Sequence, residues 1–422
     1  MDNGIRTRDN QIHNLGLYQA ELYPPPQNGG DFSIASVMGQ AILPDMRKLF
    51  CAILLVAITM GAAFGQVDIE HRRTLLLQSG FAVGPSQERL GGFGMFWFNE
   101  NNFPWTNTAL RVLFAGIYVD TELSWFLPCN TNTAVGVGLG GGAYVNSLYP
   151  YLDGRRYYRA EFDGDVLMTR FFINQTIPNP TPLPLNLRFT YTPILQWFHA
   201  TENTRDFDRP RDYAAHSLQA ELRLGGIEPG LTKYRGLELY LSAETTYRSG
   251  FDSFGPVADH YPAHSNPQRL FGSLAAKLPV NPVVFSARFC GGYGHDMDVL
   301  SAWKLGGNMQ GLDDYSLTIH GYYTREIFAK SFYMANLDIG IPILPNKKLV
   351  AHLYCDDAFV NVLDPRTGLA NDWHNYLGLG GGLSFPAFWG TYVLVSYGYG
   401  VNAVRYDHHG GHEIGIALEK QF

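Results

Sequence analysis

GGHEIGIALEKQF ends the chain (residues 410–422), and its alternation decides the fold. His412, Ile414, Ile416, Leu418, Lys420 and Phe422 fall on one side. Gly411, Glu413, Gly415, Ala417, Glu419 and Gln421 fall on the other. A side-chain period of two is that of a strand. One row is apolar between its ends, and the other is small or charged. Such a strand serves a soluble sandwich as well as a membrane barrel, so the rest of the chain must choose.

The same theme repeats upstream. LRFTYT sets Leu187, Phe189 and Tyr191 against Arg188, Thr190 and Thr192. SLQAELRL sets Leu218, Ala220, Leu222 and Leu224 against Gln219, Glu221 and Arg223. LELYLSAET and VVFSARFCGGYG behave alike, and no long amphipathic helix interrupts the series. Segments of this kind number about sixteen, an even count that suits single-chain bacterial barrels. The expected fold is therefore all-β, a transmembrane antiparallel β-barrel over residues 66–422.

Three features favour lipid over water outside that barrel. LPVNPV, ILPNKK and FPAFWG are tight turns, whereas residues 249–266 and 297–331 make long connections. Aromatics crowd the segment ends in WFLP, SLYPYL and QWF, where an interfacial girdle would sit. LFCAILLVAITMGAAF follows Met46, Arg47 and Lys48 and reads as a secretory signal peptide over residues 46–65, with cleavage after Gly65. Residues 1–45 read as an upstream leader outside the fold. A mean hydropathy of −0.10 excludes a polytopic helical membrane protein.

Composition excludes more. Charged residues make up 16% of the 422, the net charge is −7, and no basic stripe suits nucleic acid. Cys129, Cys290 and Cys355 match neither a disulfide framework nor a zinc pattern. DHHGGH (residues 407–412) reads as a solvated loop rather than a metal site. No G-x-S-x-G nucleophile elbow occurs, and no Ser/His/Asp spacing stands out. No enzyme, catalytic residue, metal or cofactor is expected.

The last third adds specific motifs in order. A strand ending in GGYG (291–294) leads into a long loop with WKLGGNM and then IHGYY. ANLDIGIPIL, LVAHLYCDDAFV and LGLGGGLSFPAFWGTYVLVSYGYG follow before the closing strand. From about residue 267 onward, this order resembles the barrel of the BamA/TamA outer-membrane assembly superfamily, the bacterial surface antigen family. The resemblance implies a sixth loop, carrying Gly306 and Gly307, that folds into the lumen. In that family an Arg-Gly-aromatic triplet at the loop tip is held by acids from the twelfth and thirteenth strands. Here the triplet becomes His320, Gly321 and Tyr322, and the acids become Asp338 and Asp356.

Alternation places Asn336, Asp338, His352, Tyr354 and Asp356 on the inner face without appeal to the family. Histidine is not a permanent bidentate fork like arginine, so the implied lock should be weaker and pH-sensitive. Asp357 and Ala358 follow the second acid, where the family usually shows glycine two positions on. Phe422 would be the last rung of the closing strand (with Ile414, Ile416 and Leu418), as in bacterial outer-membrane proteins; Lys420 departs from the apolar norm.

Members that assemble proteins carry periplasmic POTRA modules, and no room for them is expected between Gln66 and Thr74. The resemblance implies a bacterial outer-membrane location and a conduit or insertase-like role, with a weak seam between first and last strands. Expected partners are outer-membrane lipid and client polypeptides or separate periplasmic modules, with no nucleic acid. The alternative is a passive pore or structural barrel.

Overall fold

The computed structural model describes residues 74–85, 91–201, 206–227, 236–257, 260–308, 317–344, 348–406 and 408–422. The leader and signal-peptide assignments lie outside these residues. Sixteen long strands form the barrel among the described residues. They begin with β1 (Thr74–Val83), β2 (Gly91–Asn101), β3 (Thr108–Phe114) and β4 (Tyr118–Leu127). Next come β5 (Asn130–Gly142), β6 (Phe162–Thr176), β7 (Leu185–Ala200) and β8 (Tyr213–Gly226). The third group is β9 (Gly236–Ser249), β10 (Gln268–Val280), β11 (Val283–His295) and β12 (Ile327–Pro342). The last are β13 (Val350–Leu363), β14 (Ala370–Pro386), β15 (Thr391–Arg405) and β16 (His408–Gln421).

Each strand pairs antiparallel with the next, and β16 returns to β1. Closure leaves none of these sixteen strands with an unpaired edge, which hydrocarbon demands. The seam runs without a register shift from Leu76 opposite Gln421 to Val83 opposite Ile414. That ladder is longer than β2–β3, which spans only Phe96–Asn101 against Ala109–Phe114. At eight register pairs it is nonetheless shorter than every other neighbouring ladder of the sixteen strands except β2–β3 and β3–β4. Beyond Gln421, the Phe422 amide donates to the Leu75 carbonyl at 3.1 Å, and its ring stands 68% exposed. Lys420 lays its ammonium over that ring, 4.7 Å from the centroid, which keeps the charge at the rim.

The two rows separate as alternation requires. Leu77, Phe81, Leu218, Leu241, Leu353, Leu379, Ile414 and Leu418 are exposed on the outer face. The inner rows carry the charges, and these join into ladders. Asp120 of β4 takes both terminal nitrogens of Arg170 (2.5 and 2.6 Å), and Glu122 takes Arg188 at 2.7 Å and Arg111 at 3.4 Å. These groups line a lumen cavity of about 240 Å³.

A second apolar core caps the end bearing the long loops. Leu148, Phe162, Phe198, Phe207, Phe254, Tyr261, Val299 and Phe328 form one buried cluster contributed by loops and strand tops. SLYPYL belongs here rather than to a girdle: Leu148 is fully buried and Tyr151 rests on Tyr323. Apolar patterning cannot distinguish lipid from a loop's own core. Beneath the cap, Arg248 at the top of β9 meets Asp298 of loop six at 2.5 Å, both almost fully buried. Asp298 also accepts from the Ser301 amide and hydroxyl, so this charge is well satisfied.

Candidate functional site in the barrel lumen

Loop six turns inward because a short strand, Trp303–Leu305, adds to the top of β12 opposite Ile327–Ala329. Gly306 and Gly307 then adopt φ of +117° and +110°, a region that disfavours side chains. A Cβ at Gly306 would also collide with the Tyr323 carbonyl oxygen. The Gly307 amide donates to the Tyr322 carbonyl at 2.8 Å and closes the returning arm.

The tip sits on the inner wall of β13–β16. Asp356 of β13 accepts the His320 amide at 2.8 Å and meets His320 Nδ1 at 2.5 Å through the same Oδ2. Its Oδ1 accepts from Asn336 Nδ2 at 2.7 Å, and that amide also reaches the Thr318 carbonyl. The imidazole stacks on Tyr354 with ring centres 4.2 Å apart. Both oxygens of the buried carboxylate are therefore engaged.

Gly321 explains the glycine rows. It has φ +83°, and a Cβ there would run into the Gly400 nitrogen. In return, a Cβ at Gly378 would stand 2.6 Å from the His320 carbonyl oxygen, and one at Gly398 would strike the Gly321 amide. Bare backbone on both sides lets loop and wall touch. Asn308 completes the join: its Oδ1 accepts the Gly321 amide at 3.0 Å, while its Nδ2 donates to the Glu413 carbonyl at 2.8 Å.

Tyr322 is buried edge-on against Tyr376. Tyr323 lies under Arg405, whose guanidinium carbon is 4.3 Å from the ring centre. Arg405 also binds Glu326 at 2.6 and 3.2 Å and reaches the Gly321 carbonyl. Burial pushes the Glu326 carboxyl upward, opposed by Arg405 and by the Tyr323 amide. The Glu413 side chain is fully buried nearby, and its carboxylate oxygens have no hydrogen-bond partner among the described residues.

The structure thus brings His320, Gly321, Tyr322 and Asp356 together, with Gly306 and Gly307 at the loop's entry. It does not bring Asp338 to the tip. Asp338 faces inward but bonds His352 Nδ1 at 3.0 Å. Sequence reasoning assigned Asn336 to the inner face without a role and missed Asn308, Glu326 and Arg405. The assembly can hold a loop in the lumen; it places no metal-ligand cluster there among the described residues.

No family model matches the chain, and no curated protein matches it. Solved structures match by fold. BamA from Haemophilus ducreyi lacking POTRA domains 1-3 is similar with a TM-score of 0.53 at 12% identity, over 83% of this chain and 71% of that one. CdiB from Acinetobacter baumannii gives 0.51 at 12%, over 83% and 60%. CdiB from Escherichia coli gives 0.51 at 13%, over 83% and 63%. The chain spans less than two thirds of either CdiB chain. At such identities the likeness is one of fold: a closed antiparallel β-barrel like those of BamA and CdiB.

Proposed function

We propose that this chain works as a conduit or insertase-like barrel of the bacterial outer membrane, assisting a polypeptide or lipid into or across the bilayer. Support comes chiefly from the loop-six tip, seated on a glycine-lined inner wall and held by Asp356. A loop built into the lumen at this cost in side-chain freedom is superfluous for a passive pore. The role needs no covalent chemistry: the barrel would lower the insertion barrier by loosening lipid beside the β1–β16 seam. Its partners are outer-membrane lipid and client polypeptides or detached periplasmic modules.

The seam supplies the test. Ser79 and Leu418 are register partners on the outer face, so a Ser79→Cys/Leu418→Cys pair can lock the ladder by a disulfide. In proteoliposomes, the reduced variant should speed folding of a small outer-membrane client over empty vesicles, and the oxidised one should not. Equal rates with and without the barrel, or no effect of oxidation, would overturn the reading.

A further inference from the structure

Toward the end of the lumen bearing the short turns, across Tyr354 from His320, three inward side chains on adjacent strands form a hydrogen-bonded relay. Asp338 Oδ1 of β12 is 3.0 Å from His352 Nδ1 of β13, and His352 Nε2 is 2.9 Å from Ser384 Oγ of β14. The order is carboxylate, imidazole, hydroxyl. With Nδ1–H donated to Asp338, the Nε2 lone pair faces the serine hydroxyl, the tautomer a general base requires. We propose that Ser384, His352 and Asp338 form a serine-hydrolase site for carboxylic esters that enter the lumen from the end bearing the short turns. This goes beyond the conduit role and does not depend on it. It also departs from the expectation that the chain holds no catalytic residues.

The wall is shaped for the arrangement. His352 stands opposite Gly340 on β12 and opposite Gly382 on β14. With no side chain on either flank, the ring lies across three strands and touches both partners. Tyr354 stacks against it, ring centres 5.9 Å apart, and fixes its plane. Ser384 lies between Val350 and Leu394 in register, apolar neighbours suited to an acyl chain. The Tyr354 hydroxyl comes within 3.0 Å of the Cβ position at Gly382, the next inward position along the strand from Ser384. A phenolic donor there suits the oxyanion of a tetrahedral intermediate.

The chemistry balances with water as the only co-reactant. Ser384 Oγ attacks the ester carbonyl carbon while its proton passes to His352 Nε2. The carbonyl–alkoxy bond breaks, His352 returns the proton to the departing alkoxide, and an acyl-Ser384 ester remains. Water, deprotonated by His352, attacks that ester; acid leaves and Ser384 recovers its proton. Asp338 touches no reacting atom and is a positioning residue that holds the imidazole in its tautomer.

The experiment uses the full chain, folded in detergent and verified by heat-modifiable gel mobility. A fluorophosphonate probe should modify Ser384, as mapped by peptide mass spectrometry. His352→Gln should slow labelling by about 100-fold or more, without loss of the mobility shift. Asp338→Asn should slow it less while leaving the modified residue unchanged, a split that a purely structural hydrogen-bond chain would not produce. A folded wild-type barrel unlabelled at Ser384 under conditions that label trypsin overturns the proposal, whether or not the variants fold. Labelling of folded His352→Gln at the wild-type rate overturns it equally.

Discussion

Asp356 accepts three hydrogen bonds, two of them from His320 at the loop-six tip and one from Asn336. Hydrogen bonds to a charged group contribute about 1.5–3 kcal/mol each, and most of that is lost when one partner can no longer accept. Asp356→Asn keeps the volume but must turn its amide donors toward the His320 amide or toward Asn336. We expect loop six to open roughly tenfold or more readily, read as faster tryptic cleavage after Arg325 in the folded barrel. Asp338→Asn should leave that cleavage unchanged, because Asp338 spends its hydrogen bond on His352. Equal sensitivity in the two variants, or none in Asp356→Asn, would refute the assignment. Alternation alone put Asp338 and Asp356 on the same face, which is correct. It could not say which one meets the loop, since height along a strand is set by register.

Loop six is an element with two anchors, the tip on Asp356 and the short strand on β12, and the second carries an awkward cation. Lys304 pairs in the ladder with Phe328, its ammonium 5.9 Å from that ring. Burial, reinforced by Arg325 and Arg269 and only partly offset by Asp298, pushes the ammonium down to about 7. Between that value and the ordinary 10.5, the unfolded chain holds a proton that the folded one has released. Stability at this site therefore rises with pH across the window, and below it the fold must keep a charge in a poorly solvated place. Lys304→Met should raise the apparent melting temperature at pH 6, and the gain should shrink by pH 10. A gain independent of pH would mean that the lysine is well hydrated. Irregularity within an element also hid Arg405 from the sequence. Ser396, Gly398 and Gly400 face inward along β15, so simple alternation would send Arg405 outward. A register shift between Gly400 and Val404 turns Ala403 and Arg405 into the lumen instead. Strands with unbroken alternation were legible from residues alone; a bulge leaves no mark in a hydropathy pattern.

In the whole barrel, the filling of the interior bears on whether the lumen conducts. Sixteen strands enclose enough room for an aqueous channel when side chains and loops stay clear of it. Here they do not. The aromatic cap around Phe254 and Tyr261 covers the end bearing the long loops, and the Tyr261 hydroxyl donates to the Pro365 carbonyl to tie two of those loops together. Below it lies loop six, and across the lumen Arg111, Arg170 and Arg188 interlock with Asp120 and Glu122. Closure of the sheet was readable from the even count of alternating segments; this internal filling was not, because it depends on which loops meet. Wild-type protein in planar bilayers should therefore conduct far below an open barrel of the same strand number. Phe254→Ser combined with Asp356→Asn loosens the cap and the plug together, and should add frequent large openings. Each substitution alone should add few, since the two obstructions lie in series along one path. Steady porin-like conductance of the wild type would mean that cap and plug are not seated in the membrane. The passive-pore reading would then displace the conduit.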